Sequence, residues 1–483
     1  MRKYNQLARI FFILLTLLGI NLKGAAQATT PPDDPRGLTI YQIMVASFQH
    51  GDGGAPGYTA MWGPDNARKD GNLRGIINAV DFIDSLGVNA VWLTPIFDST
   101  KALYDDPKLN ATGYFTNDYF TIDPNFGTDA DLRELIDKLH RRGIYVILDG
   151  VFGHHGGVTT PSPMGHSVDN TPSTDCRGYG TPLSYPGSLD YYIDVATYWI
   201  DNYGIDGWRL DQAYQACQGG HNYWIELRQA VEDLAARRAA RGEKWGTLGY
   251  MVGEDWGPAD VINNGVYKDG GLISAFDFDG NDRLVKLADP FTDIPLLYSS
   301  PTARGYLNDS VMPNLFLSNH DVYRVGDKIE RDSTYFDRLK MRNAVLAAYP
   351  GPITLYYGDE FGDDTRDAIG AQPDNIARTS GHIEARSADE ADLRSYVASV
   401  MKLRKEHPAM WRGDSSFETI GDKALKMTRT DAASGETIIA WFPLADIDVD
   451  VPAGSTDLLT GQELSAPGLS LKANVPAFIL INQ

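Results

Sequence analysis

From Leu38 onward the chain alternates short apolar runs with longer segments in which apolar residues recur every three or four positions. The run Leu38–Phe48 (LTIYQIMVASF) reads as a buried strand, and Leu73–Leu86 has helical spacing before a second strand over Val88–Pro95. Asp129–Arg142 predicts another helix, followed by a third strand at Gly143–Asp149. The alternation continues through apolar runs at Ile205–Asp211, Gly249–Asp255, Ile273–Phe278, Pro313–Asn319 and Ile353–Tyr357. Eight such strands separated by helical patterns predict an α/β protein built as a (β/α)₈ TIM barrel. A doubly wound open sheet shares the alternation, but no Gly-rich phosphate loop follows the first strand.

Two stretches break the pattern. Residues 153–188 are rich in Gly, Pro, Ser and Thr, too long for an ordinary strand-to-helix loop, and predict a small excursion domain at the barrel mouth. After a helix ending near His407, residues 411–483 turn to short alternating runs such as Thr437–Leu444 and Ala477–Asn482, separated by turn residues. That pattern predicts a C-terminal antiparallel β-domain, leaving 29–410 for the interrupted barrel. At the other end, Arg2, Lys3 and Arg9 precede the apolar run Phe11–Ile20, and Ala26-Gln27-Ala28 supplies small residues for cleavage. Residues 1–28 therefore read as a signal peptide, and the protein as exported to the periplasm or the medium, with an uncleaved anchor as the alternative. No later stretch approaches the ~20 consecutive apolar residues of a membrane span, so stable membrane insertion is not expected.

The formal net charge is −21, and loss of residues 1–28 makes it more negative, because they carry Arg2, Lys3, Arg9 and Lys23 and no acid. An acidic body repels phosphate backbones and anionic lipids, which argues against nucleic acid as a partner and is compatible with a neutral substrate. Two cysteines are present, Cys176 and Cys217. In an exported chain they form one disulfide or remain two buried thiols, and neither has a zinc-type spacing. No coiled-coil or interface pattern speaks to the oligomeric state.

The polar residues that interrupt the apolar runs fall at the strand ends. Asp149 ends the third predicted strand, Arg209 and Asp211 the fourth and Glu254 the fifth, while His320 and Asp321 follow the seventh. In a (β/α)₈ barrel these ends converge on one mouth. Carboxylates gathered there with Arg and His suit glycoside hydrolysis, in which one carboxylate acts as nucleophile and another as acid and base.

The segments DGVFGH (Asp149–His154), GIDGWRLD (Gly204–Asp211), VGED (Val252–Asp255) and FLSNHD (Phe316–Asp321) stand in order on those strands. With them the chain resembles glycoside hydrolase family 13, the α-amylase family, over nearly its whole length after the N-terminal segment. GVNAVWLTP (Gly87–Pro95), TGYFTNDYF (Thr112–Phe120) and YPGPITLYYGDE (Tyr349–Glu360) are similar to further family stretches. The resemblance implies retaining cleavage of α-glucosidic bonds, chiefly α-1,4, in starch, glycogen or maltooligosaccharides. It implies Asp211 as nucleophile, Glu254 as acid/base, and Asp321 as the residue that holds the sugar hydroxyls and favours a distorted ring. Arg209 shares a strand face with Asp211 and would keep it ionised, with Asp149 ordering Arg209. His154 and His320 would bond hydroxyls of the same sugar, and Tyr114 would stack on its apolar face. A transglycosylase, or a hydrolase of sucrose or isomaltose-type links, shares these residues and differs around Tyr214, Gln215 and residues 256–264. A catalytically silent glucan-binding relative would be expected to lack a carboxylate or the Arg, and all are present.

Family members usually carry Asn before the His of the first motif, where it ligates a structural calcium ion between barrel and excursion. This chain has Gly153 there, and Tyr214 and Gln215 replace the family's frequent Lys-His pair after the nucleophile. Both departures touch the expected metal site, so Ca²⁺ at that place does not follow. A Cys176–Cys217 disulfide could pin the excursion instead. Some relatives hold a second calcium near the first strand-to-helix loop, where Asp52 and Asn72 are candidate oxygen ligands and a solvated Gly-rich turn is the alternative.

Overall fold

Eight parallel strands close on one another in sequence order. They are β1 (Thr39–Ile43), β2 (Ala90–Leu93), β3 (Tyr145–Gly150), β4 (Gly207–Leu210), β5 (Tyr250–Gly253), β6 (Ser274–Phe276), β7 (Met312–Phe316) and β8 (Ile353–Tyr356). This is a computed structural model describing residues 33–53, 71–101, 112–157, 159–171, 181–365, 377–464 and 468–482. The predicted signal peptide and Cys176 lie outside the described residues.

The apolar runs that predict the strands are split by the barrel through alternation. Ile40, Ala90, Trp92, Tyr145, Ile147, Tyr250, Val252, Phe276 and Phe316 pack together inside the barrel. Their neighbours Tyr41, Val91, Val146, Met251 and Leu315 pack outward with the helices. Because side chains alternate with a period of two, the next inward positions after Ile147 and Val252 are Asp149 and Glu254. Arg209 lies opposite Asp149 on β3 and Val252 on β5, so it too is inward, and Asp211 follows two residues later. The mouth chemistry is thus the continuation of the interior stripe.

Around the strands run α1 (Leu73–Asn78), α2 (Val80–Ser85), α3 (Asp129–Arg141), α4 (Leu189–Tyr203), α5 (Trp224–Ala240), α6 (Phe278–Lys286), α7 (Tyr335–Ala347) and α8 (Ala388–Glu406). In α3 a Thr128–Asp131 capping box fixes the start, and Leu132, Leu135, Ile136 and Leu139 form the buried stripe. Two expectations change in detail. The predicted first strand stops at Ile43, and Val45–Phe48 form a buried helical turn, since a fully apolar run fits either geometry. The predicted helix Leu73–Leu86 is two pieces, broken at Ala79, whose φ of −92° and ψ of 3° leave the helical region.

In the excursion, His154–His155 pair antiparallel with Thr181–Pro182, and α4 begins just past the predicted end at 188. The C-terminal strands are β9 (Asp414–Ile420), β10 (Ala424–Asp431), β11 (Glu436–Pro443), β12 (Ile447–Val449), β13 (Thr456–Asp457), β14 (Gln462–Glu463), β15 (Leu469–Leu471) and β16 (Ala477–Leu480). Six form a sheet in the order β9-β10-β11-β16-β13-β14, and β12 pairs with β15. Ile438, Ala440 and Phe442 on β11 join the barrel's outer core, whereas Ile439 and Trp441 face a second cluster with Val449, Leu471 and Ile479. Among the described residues, no helix is long and apolar enough to cross a membrane.

Candidate active site

Arg209 is 1% exposed and sits at the centre of the barrel mouth. Its Nη1 donates to Asp149 Oδ1 and Oδ2 at 3.0 and 3.1 Å and to Asp211 Oδ1 at 3.0 Å. Its Nη2 lies 3.0 Å from Glu254 Oε1. The guanidinium rests over the Trp92 ring, 5.0 Å from its centroid. One cation therefore contacts three carboxyl groups drawn from β3, β4 and β5, and its planar fork sets their mutual positions.

Asp149 is the most enclosed of the three. Trp92 Nε1 donates to its Oδ2 at 3.1 Å and the Tyr114 hydroxyl at 2.8 Å. With every neighbour donating, Asp149 serves as an acceptor that orders Arg209. Asp211 leaves one oxygen turned towards the cleft: its Oδ2 is 3.9 Å from His154 Nε2 and accepts from Gln212 Nε2 at 3.3 Å. Glu254 Oε2 accepts the Gln212 backbone N–H at 2.9 Å. Burial pushes the Glu254 pKa up to about 8 against the pull of Arg209, with the charges of Asp211 and Asp321 adding to the rise. A carboxyl held protonated near neutrality can donate a proton.

Asp321 and His320 form the opposite wall. Gln42 Nε2 donates to His320 Nδ1 at 2.7 Å, which places the ring proton on Nε2. That nitrogen lies 2.7 Å from the Tyr114 hydroxyl and 3.1 Å from Asp321 Oδ2. Burial draws the His320 pKa down to about 3, so the ring is a neutral donor at physiological pH. Arg378 grips the same pair, with Nη2 2.6 Å from Asp321 Oδ1 and Nε 3.0 Å from the His320 carbonyl. Burial raises the Asp321 pKa, but His320, Arg378 and Arg209 outweigh it and leave the carboxylate below its ordinary range.

The structure thus gathers Asp149, Arg209, Asp211, Glu254, His320, Asp321, Tyr114 and His154 in one site. The Tyr114 ring stacks on His320, with centroids 5.3 Å apart and planes 6° from parallel. His154 spans Gln215 Oε1 and the Tyr114 carbonyl, each at 3.1 Å. Trp92, Gln42, Gln212 and Arg378 join the site although the sequence reading does not single them out. Trp92 and Gln42 occupy inward positions of β2 and β1, and a polar residue on that stripe is a readable signal. Arg378 and Gln212 carry none.

Asp52 and Asn72 lie elsewhere and have other partners. Asp52 Oδ1 pairs with His50 Nδ1 at 2.5 Å, and Asn72 Oδ1 caps α1 by accepting the Gly75 N–H at 2.9 Å. Among the described residues, no group of three or more His, Cys, Asp or Glu side chains is spaced to hold a metal ion. Cys217 Sγ lies 3.6 Å from Asn222 Oδ1.

The site invites comparison with known proteins. The family described as "Alpha amylase, catalytic domain" matches residues 42–175 and 188–423. A cyclomaltodextrinase of a Bacillus species is 30% identical over 425 residues, covering 80% of this chain and 69% of that protein. Neopullulanase 2 of Thermoactinomyces vulgaris is 27% identical over 496 residues, covering 92% and 77%. Among solved structures, AmyP in complex with maltose is 35% identical with a TM-score of 0.76, covering 92% of this chain and 96% of that one. The chain belongs to the α-amylase family, glycoside hydrolase family 13, and is a glycoside hydrolase that cleaves α-glucans.

Proposed function

We propose that the protein hydrolyses α-1,4-glucosidic bonds in maltooligosaccharides and related α-glucans with retention of anomeric configuration. The observation that carries this reading is the shared guanidinium: Arg209 Nη1 holds Asp211 and Nη2 holds Glu254, each at 3.0 Å. Two carboxylates clamped to one Arg suit the short separation of a retaining pair, ~5–5.5 Å, better than the wider gap that must admit a water.

In the first half-reaction Glu254 gives its proton to the glycosidic oxygen as the C1–O bond breaks. Asp211 Oδ2, the oxygen Arg209 leaves unbound, forms the new bond to C1. Asp321 and the neutral His320 hold hydroxyls of the same sugar, and Asp321 favours the flattened, positively charged ring at the transition state. In the second half Glu254, now a carboxylate, takes a proton from water while the water oxygen attacks C1 and Asp211 departs. The released sugar keeps its α-configuration.

The names of the relatives, a cyclomaltodextrinase and a neopullulanase, support short or cyclic α-glucans among the substrates. Trp256, two residues past Glu254, is 54% exposed and stacks on Phe278 at 4.7 Å, offering an aromatic surface beside the acid/base residue. Product profiles from soluble starch, β-cyclodextrin, pullulan and sucrose test the assignment. Maltose and glucose from starch and β-cyclodextrin, and trisaccharides that keep the α-1,6 bond from pullulan, with sucrose untouched, are expected. Cleavage of sucrose in preference to maltooligosaccharides would displace it. We also propose export through cleavage after Ala28, checked by the N-terminal sequence of protein recovered outside the cytoplasm; a full-length N-terminus there would refute it.

A further inference from the structure

Gly153 occupies the position where the family's metal-ligating Asn is expected. Its φ does not lie in the left-handed region, so the backbone does not demand glycine. The neighbour does. A Cβ on residue 153 would lie 2.1 Å from Gln215 Oε1 and 2.3 Å from Gln215 Cβ. The Gln215 side chain, 2% exposed, therefore fills the space that a side chain at 153 would take.

From that wedge a chain of amide contacts runs to the nucleophile. Gln215 Oε1 faces His154 Nδ1 at 3.1 Å, and its Nε2 donates to Gln212 Oε1 at 3.3 Å. Tyr214 donates its hydroxyl to the same Gln212 oxygen at 2.9 Å, fixing which way that amide points. Gln212 Nε2 then donates to Asp211 Oδ2 at 3.3 Å. Gln212 also has φ 41° and ψ 50°, a left-handed conformation that strains a non-glycine residue and tends to persist at functional sites. In that conformation its backbone N–H reaches Glu254 Oε2 at 2.9 Å. One residue thus touches both the nucleophile and the acid/base.

These residues do not fit the calcium ion of relatives. Residue 153 has no side-chain oxygen, Gln215 Oε1 is turned to His154, and Gln212 Oε1 already accepts two donors. Hard cations need six or more oxygens directed at one point. We propose instead that Gln215 and Gln212 are positioning residues: a metal-free amide relay, seated against Gly153, that ties the His154 loop to the end of β4 and orients Asp211 Oδ2. This rests on Asp211 being the nucleophile, which Asp211→Asn tests separately by loss of activity.

The relay is tested by background dependence. Gly153→Ala must push the Gln215 amide out of place and is expected to lower kcat about tenfold with KM nearly unchanged, as for loss of a buried hydrogen bond. In a Gln215→Gly background, which removes the Cβ as well as the amide, the space is empty, and Gly153→Ala is expected to cost nothing further. An equal cost in both backgrounds overturns the wedge. Gln212→Leu, on the partly exposed side of the relay, is expected to lower kcat in the wild type and to add little to Gln215→Ala; multiplicative losses overturn the relay. Unfolding midpoints after EDTA dialysis, with and without added calcium chloride, give a readout apart from activity. The relay predicts the same response to calcium in wild type and Gln215→Ala. A calcium-dependent rise that Gln215→Ala or Gln212→Leu abolishes would place a cation at the relay and overturn the proposal.

Discussion

The charge balance at the barrel mouth turns on a few side chains. Glu254 is buried beside Arg209, yet burial and the neighbouring acids raise its pKa to about 8. In the proposed mechanism the protonated form donates to the leaving oxygen, so activity is expected below this pKa and is lost as pH rises through it. The basic limb of kcat/KM is expected near pH 8, and Glu254→Gln is expected to abolish that limb while lowering kcat on the order of 10³-fold, within the range of general-acid effects. A limb left in place in the variant would assign it to another group. Arg378 acts on the other wall. Arg378→Ala removes the contact to Asp321 and is expected to lower kcat/KM by about 10–100-fold, the scale of a charge-assisted hydrogen bond. Because Arg378 helps to hold the Asp321 pKa down, the variant's acid limb is expected to move up if Asp321 governs it. A pH–rate series on the folded variant reads both effects. Asp149, Arg209, Asp211, Glu254 and Asp321 were legible because barrel geometry sends strand ends to one place. Arg378 was not, since it stands 57 residues from Asp321 and nothing local marks the contact.

Elements hold these residues through contacts that secondary-structure propensity does not predict. Arg404 on α8 is fully buried and donates from Nη1 to the carbonyls of Ala347 at 3.0 Å and Tyr349 at 2.7 Å. Its Nη2 reaches Arg36 O at 2.7 Å and also Gly351 O. It joins the end of α7, the entry to β8 and the segment before β1. Arg404→Leu removes a donor from each of these carbonyls, of which Tyr349 O keeps the Gly351 N–H at 3.0 Å, and is expected to cost about 3 kcal/mol, since each buried group left unsatisfied costs roughly 1–3 kcal/mol. Denaturant titration with unaltered KM in the surviving native fraction is the measurement. A shift below about 1 kcal/mol would show that the carbonyls find other partners. Gly207, within GIDGWRLD, lets two strands come together. A Cβ there would lie 2.3 Å from the Tyr250 carbonyl, so β4 and β5 approach closely beside Arg209. The end of β1 and the break at Ala79 stayed hidden because an apolar run and an unbroken helical spacing each fit two local geometries.

On the scale of the whole molecule, the sequence reads as a barrel followed by a separate β-domain, divided near residue 410. The core does not divide there. Leu425, Met427, Ile438, Ala440, Phe442 and Phe478 of the C-terminal sheet belong to the same buried cluster as the barrel helices. Tyr396 on α8 donates to the Pro476 carbonyl at 2.9 Å, and His407 pairs with Glu436 at 2.6 Å. Composition marked the change of strand type, but a shared core leaves no mark in local pattern. Residues 29–410 produced alone are expected to be insoluble or to unfold at much lower temperature, because truncation bares this apolar face; a soluble fragment with wild-type melting would show two independent units. In the proposed reaction Asp211 attacks and Glu254 serves both half-reactions, so activity depends on the assembled mouth. Proton NMR of the first products released from a maltooligosaccharide, recorded before mutarotation, tests that arrangement most directly. The α-anomer appearing first is the predicted result, and initial release of the β-anomer would contradict it.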